Sequence, residues 1–541
     1  MSENTYPSVN DLTLEEKASL TSGGDAWHLQ GVEAKGIPGY MITDGPHGLR
    51  KSNSATTGEV DLNNSVPATC FPPAAGLSSS WNPELIHQVG EAMAEECIQE
   101  KVAVILGPGV NIKRNPLGGR CFEYWSEDPY LAGHEAIGIV AGVQSKGVGT
   151  SLKHFAANNQ ETDRLRISAN ISQRALREIY FPAFEHIVKE AQPWTIMCAY
   201  NCINGVHAAQ DHWLLTDVLR DEWGFQGIVM SDWGADHDRV ASLNAGLNLE
   251  MPPSYTDDQI VYAARDGRIQ PAQLDRMAQG MIDLVNKTRA AMSIENYRFD
   301  IEAHDEVAHQ AAIESMVLLK NDDAILPIAG DAKVTVIGEF ARTPRYQGGG
   351  SSHITPTKMT SFLDTLTERG VDAKFAPGFT LDLEPADPAL EAEAVDAAKG
   401  ADVVLMFLGL PEAAESEGFD RETLDMPAKQ IALLEAVAAE NKNVVVVLSN
   451  GSVVTVAPWA KNAKGILESW LLGQSGGPAL ADVLFGKVSP SGKLAQTIPF
   501  DINDDPSTIN WPGEEGHVDY GEGVFVGYRY YDTYNKACLL Y

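Results

Sequence analysis

Over roughly the first 295 residues, short apolar runs alternate with longer stretches of helical period. "GYMITDG" (39–45), "VAVILGPG" (102–109), "GVGTSLKHF" (147–155), "WTIMCAYN" (194–201), "GIVMSDW" (227–233) and "GLNLEMP" (246–252) read as buried strands. Between them, "ELIHQVGEAMAEECIQ" and "LREIYFPAFEHIVKEA" space their apolar residues as a helix face does. Near the start, Thr13 and Glu16 stand at capping-box spacing. Such alternation predicts βα units around a parallel sheet. Nearly every strand runs out into polar or charged residues. In a (β/α) barrel those C-terminal strand ends form the active face.

"SIENYRFDIEAHDE" (293–306) breaks the pattern and reads as a linker, and "VAHQAAIESMVLLKN" (307–321) predicts a helix. A second block then places strands at 333–340, 402–410, 443–451 and 465–473, with the helix "AKQIALLEAVAAE" turning Ile431, Leu434 and Val437 toward one face. That pattern predicts a separate doubly wound sheet. The chain divides into a barrel-like domain (1–295), a linker and bridging helix (296–330), an α/β domain (331–505) and an aromatic tail (506–541).

Composition mainly excludes. With 74 Asp and Glu against 40 Lys and Arg, the net charge is −34. Nucleic acids and anionic membrane surfaces need clustered cations, so neither is expected as a partner. A neutral small ligand fits better. No apolar run reaches the ~18 residues of a membrane span, and the N-terminus lacks the apolar core of a signal peptide. The six cysteines contain no CxxC pair. Reduced thiols in a cytoplasmic protein are the simplest reading.

The chemistry gathers at the strand ends: Asp44 and Arg50, Arg120, Lys153 and His154, Arg164, Tyr200, and Asp232 with Trp233. Cations, two acids and aromatics suit a sugar ring, whose hydroxyls want charged partners and whose apolar face wants an aromatic platform. Asp232 could serve as one of the two carboxylates of a glycosidase. Each residue has a plainer reading as well. A strand-end Asp can cap the next helix, Lys153 and His154 can be a packed pair, and Glu250 is best read as structural. Asp232, Asp236 and His237 at helical spacing are weak metal candidates, and no metal or other cofactor is expected. Phosphate-loop, dinucleotide-binding, HExxH and GxSxG motifs are absent from the sequence.

"MITDGPHGLR", "NIKRNPLGGRCFEYWSEDP", "SLKHFAANNQETDR", "MCAYNCINGV" and "GIVMSDWGA" resemble, in order, the motif series of glycoside hydrolase family 3 β-glucosidases. "GGGSS" (348–352), "ESEGFDRETLDMP" (415–427), "SWLLGQSGGPALADVLFG" and "EGVFVGYRYYD" resemble that family's second domain and tail. The resemblance implies a (β/α)8-like barrel, often irregular, followed by an α/β sandwich, with the site between them. It also implies cofactor-free, retaining removal of one terminal β-D-glucosyl residue from an oligosaccharide or aryl glycoside. By motif, Asp232 resembles the nucleophile and Glu417 the acid/base. Asp44, Arg120, Lys153, His154 and Arg164 resemble the hydroxyl-binding set, Arg50, Tyr200 and Trp233 its further wall, and Ser351 a second-domain contact. The residues alone leave Glu415 equal to Glu417, within what reads as an acidic surface loop. Glu412 and Glu415 are expected to raise the proton affinity of Glu417.

"KHFAANNQETDR" lacks the His of the family's N-acetylglucosaminidase branch, which counts against that activity. Chains of this type continue into a fibronectin-like β-sandwich, whereas this sequence stops at Tyr541, so a member without that domain is expected. The alternatives are a β-xylosidase or α-L-arabinofuranosidase of the same family, or a non-catalytic sugar-binding protein. Asp44 favours glucose, because a strand-end carboxylate can bind the 4- and 6-hydroxyls. A homo-oligomer is left open.

Overall fold

Five short strands carry the first half of the chain. They are β1 (Met41–Asp44), β2 (Val102–Leu106), β3 (Gly149–Phe155), β4 (Thr195–Cys198) and β5 (Ile228–Met230), every residue of them buried. They run parallel in that order. This is a computed structural model, which describes residues 7–53, 64–382 and 385–538. The ring continues through single bridges: Met230 to Leu249 and Ser22 to Glu250 in parallel, then Gly23 to Leu29 and His28 to Met41 antiparallel. The barrel is therefore irregular. Part of its wall is loop backbone held by single bridges, and an antiparallel turn stands between Gly23 and Met41.

Helices cover the outside where the apolar spacing placed them. The Thr13–Glu16 capping box forms ahead of α1 (Leu14–Ser19), with both reciprocal bonds made. Residues 84–99 lie in α2 (Pro83–Glu100) and pack on α3 (Pro129–Ser145). Gly138 and Gly142 allow that close approach, since a Cβ at Gly142 would come within 2.2 Å of the His87 carbonyl. The periodic run 176–191 is divided at Pro182: a π-helical turn precedes α4 (Pro182–Ala191), because proline cannot continue the hydrogen-bond ladder.

The predicted helix over 307–321 is corrected. α5 (Ile301–Ser315) starts within the expected linker, capped by Asp300, and stops at Ser315. Val317–Asn321 is a strand, β6, antiparallel to β11 (Gly465–Glu468). Between them the second sheet contains β7 (Val334–Ile337), β8 (Ala373–Ala376), β9 (Val403–Gly409) and β10 (Val444–Ser449), in the order β6-β11-β10-β9-β7-β8. β8 has no counterpart among the predicted strands. Its pattern is short and half-exposed, as suits an edge. The helix over 428–440 forms as read, with Leu434 and Val437 buried and Ile431 half-buried.

The five parallel strands of this sheet follow the doubly wound order in which β7 and β9 diverge, and such sheets open a crevice at that divergence. The loops leaving β7 and β9 flank it and face the barrel. The tail returns to the first domain: His517–Asp519 pairs with Ser168–Asn170, and Val518, Tyr520 and Val526 join the barrel core. Arg114 donates to both oxygens of Glu522, at 2.6 and 3.0 Å, and lies over the Tyr520 ring.

Candidate active site

Asp232 follows the buried strand β5, at the barrel end that faces the second domain. Its Oδ1 accepts the peptide N–H of Trp233 at 2.8 Å. Its buried Oδ2 has no well-formed hydrogen bond among the described residues, and His154 Nε2 lies 3.5 Å from it. Such an oxygen is costly to bury unless it has work to do. Burial pushes the Asp232 carboxyl above the ordinary aspartate range, and Arg120 and Lys153 pull it back. The Trp233 indole donates to the Ala26 carbonyl at 3.1 Å, and its ring lies 5.4 Å from that of Trp27, so two aromatics wall one side.

His154 is fixed at both ends. Its backbone exchanges two bonds with the Asn111 side chain, at 2.8 and 2.9 Å, and its Nδ1 meets the Tyr124 hydroxyl at 3.1 Å. Burial, then Arg120, Lys153 and Arg164, hold the imidazole far below its usual range, so it is neutral. Asp44, at the end of β1, lies 3.3 Å from Arg50 Nη1. Burial pushes it up to about 6 against the pull of Lys153 and Arg50. Tyr200 lies under the Arg164 guanidinium, 5.1 Å from the ring centre.

The second domain supplies Glu417 from the loop after β9 and Ser351 from the loop after β7. The divergence of those two strands therefore brings the pair together. Ser351 donates to Glu417 Oε2 from its backbone N–H at 2.8 Å and its hydroxyl at 2.6 Å. Gly350 has φ +91°, and a Cβ there would come within 2.5 Å of the Glu417 Cβ. From the barrel, Arg164 Nη1 donates to Glu417 Oε1 at 2.9 Å and Arg120 Nη1 lies 3.5 Å away. The carboxyls of Asp232, Asp44 and Glu417 are close enough to perturb one another. All eleven sequence-selected residues thus converge where the barrel end meets the divergence of the second sheet.

Two family models cover most of the chain. The glycosyl hydrolase family 3 N terminal domain matches residues 49–284, and the family's C-terminal domain matches 316–528. The chain belongs to glycosyl hydrolase family 3. An exo-α-(1→6)-L-arabinopyranosidase of Bifidobacterium breve is 88% identical over 546 residues, covering 99% of this chain and 72% of that protein. Among solved structures, a family 3 β-glucosidase of Bifidobacterium adolescentis superposes with TM-score 0.96 at 88% identity, over 99% of this chain and 77% of that one. β-Glucosidase 3B of Thermotoga neapolitana in complex with glucose gives TM-score 0.89 at 36% identity, over 98% and 81%. As a family 3 member the chain is a glycoside hydrolase.

Two expectations about the acid loop change. Glu415 is not solvated: it is buried inside the second domain, where Arg345 Nη1 donates to it at 2.6 Å and Gly451 N–H and Ser452 Oγ complete its shell. Nor do like charges raise Glu417. Burial alone would do so, but Arg120 and Arg164, then Ser351, hold it well below the usual glutamate range. In this structure Glu417 is an anion.

The family 3 site also contains residues that sequence reasoning passed over. Glu123 pairs with Arg120, and Glu161 with Arg164 at 2.6 Å. Asp420 accepts from Gly119 N–H, Glu161 N–H, Thr162 N–H and Thr162 Oγ, at 2.7–2.9 Å, and so ties the acid loop to the barrel. All three lie inside the motifs already quoted. Their signal was an acid three residues from an arginine, or an acid at a loop tip, which reads equally as a solvated turn. Among the described residues no group of three or more His, Cys, Asp or Glu is arranged to hold a metal ion.

Proposed function

We propose that this glycoside hydrolase removes terminal β-D-glucopyranosyl residues from the non-reducing end of oligosaccharides or aryl glycosides, with retention. Asp232 is the nucleophile and Glu417 the acid/base. The observation that carries this reading is the pairing across the domain seam. A buried strand-end carboxylate, one of whose oxygens has no well-formed hydrogen bond among the described residues, faces a second carboxylate held on an opposing loop. Asp44, Lys153, His154 and Arg120 bind the ring hydroxyls, and Trp233 with Trp27 covers its apolar face. A substrate hydroxyl that engages Arg120 or Arg164 frees Glu417 from part of its positive surroundings. Glu417 then takes up the proton the leaving oxygen needs.

A second reading has its own support. The B. breve relative is named for α-L-arabinopyranosides. That ring shares the equatorial aglycone of a β-glucoside and differs at C4 and in lacking the C5 hydroxymethyl. The same carboxylates would serve it, with Asp44 meeting fewer hydroxyls. A panel of nitrophenyl β-D-glucoside, α-L-arabinopyranoside, β-D-xyloside and α-L-arabinofuranoside, with the first product anomer read by NMR, tests both. The expected result is the highest kcat/KM on the glucoside, clear turnover of the arabinopyranoside, and retained configuration. An inverted product would overturn the mechanism. Preference for either furanoside or xyloside would overturn the substrate assignment. The six cysteines, all free thiols, support a cytoplasmic location as part of this proposal, which cell fractionation checks.

A further inference from the structure

Arg164 Nη1 donates to two carboxylates at once, Glu161 Oε2 at 2.6 Å and Glu417 Oε1 at 2.9 Å. The same Glu161 oxygen accepts the peptide N–H of Gly418, the residue after Glu417, at 2.9 Å. Glu161 is buried, and its own N–H is held by Asp420 of the acid loop at 2.9 Å. One first-domain carboxylate oxygen therefore grips both the cation that neutralises the second-domain acid and the backbone that carries it.

We propose that Glu161 is a positioning residue for the proton-transfer step: it competes with Glu417 for Arg164, which sets how readily Glu417 takes up a proton, and it clamps Gly418 so that Glu417 faces the barrel. This deepens, and rests on, the reading of Glu417 as proton donor. One guanidinium carries a single positive charge and cannot give all of it to two anions, so each carboxylate weakens the hold of the other. Glu417 is faced by Arg120 and Arg164 from the barrel loops, by Asp44, Asp232 and Tyr200 at the strand ends, and by Ser351 from its own domain. Glu161 is faced by Arg120, Arg164, Glu417 and Tyr124. Burial pushes Glu161 up to about 7 against both arginines, while Glu417 stays low. Near neutral pH Glu161 is therefore about half ionised, and its ionised fraction, by drawing Arg164 to itself, is what shifts a proton toward Glu417.

Glu161→Gln tests this. The amide keeps the shape and an oxygen for Gly418 but removes the competing charge. Arg164 then serves Glu417 alone, and the alkaline limb of kcat, which reports the acid of the substrate complex in which Glu417 carries its proton, should move down by about one pH unit. At pH 7 a glucose disaccharide should lose about tenfold in kcat. A dinitrophenyl glucoside, whose leaving group needs no acid, should stay within about twofold. Glu161→Asp keeps the charge at shorter reach, should move the limb by less, and serves if the first variant does not fold. An unmoved limb with equal losses on both substrates would make Glu161 a structural buttress and overturn the proposal, as would no change at all. Glu417→Ala is run alongside. If it costs both substrates equally, the proton-donor reading itself fails. If it costs the disaccharide about a hundredfold more while Glu161→Gln leaves the limb in place, only the present inference fails.

Discussion

At the scale of single residues, the site turns on what each carboxylate is allowed to touch. Asp232 gives one oxygen to a peptide N–H, and the carboxyl otherwise meets a neutral histidine and the Tyr200 hydroxyl. Its second oxygen can approach an anomeric carbon without first breaking an ion pair. Asp232→Ala should therefore lose four or more decades of kcat (about 5 kcal/mol), with azide restoring turnover as the inverted glycosyl azide. A residual rate within tenfold of wild type would send the search for the nucleophile elsewhere. Glu417 has the opposite surroundings, two arginines and a serine. Its ionisation is thus adjustable by anything that draws those partners away. Asp232 was legible in the sequence, because an acid ending an apolar run needs an explanation. The separation of Glu415 from Glu417 was not: two acids two residues apart differ only in which way the folded loop turns them.

At the scale of elements, the loops matter more than the strands that carry them. Most of the strand runs could be read directly, since apolar stretches between glycines leave little choice. Residues 317–321 could not. Leu318, Leu319 and Lys320 are good helix formers continuing a helical period, and only the pairing of this segment with β11, nearly 150 residues away, makes it a strand. The latch between Gly119 and the acid loop was equally hidden. A Cβ on Gly119 would come within 1.8 Å of the Phe419 carbonyl and 2.6 Å of that of Ser416, yet the sequence shows only one glycine of a pair. Gly119→Ala should push the acid loop back from the barrel. The expected result is a fall of roughly a hundredfold in kcat/KM, as displacements near 1 Å produce, with a Tm within a few degrees of wild type. A fall in Tm matching the loss of activity would show a folding defect instead.

At the scale of the whole molecule, the two largest apolar cores among the described residues, one in the barrel and one around the second sheet, meet across a seam that contains the site. The second core has a weak point of its own. Glu468, at the end of β11, is fully buried, accepts from Trp470 N–H and Asn450 Nδ2, and is pushed up to about 8 by burial. A carboxyl raised in the fold stabilises it below its unfolded pKa near 4.3 and loses that contribution as pH climbs through the folded value. Glu468→Gln should accordingly raise Tm relative to wild type at pH 8–9, with the difference shrinking to nothing below about pH 5. A constant offset across that range would mean that Glu468 does not titrate with folding.

The seam also divides inheritance. On the present reading the barrel carries the groups that know the sugar, while the proton donor and the nearby surface of the loop after β9 belong to a sheet folded around its own core. Variation in that loop can change which leaving group is tolerated while every hydroxyl contact stays as it was. Variation at the strand ends can change the sugar without redesigning the proton donor. Glu161 and Asp420 are where the two lineages of change must stay compatible. A chimera that joined this barrel to a relative's second domain would be limited by the match at those two positions before any contact with the substrate.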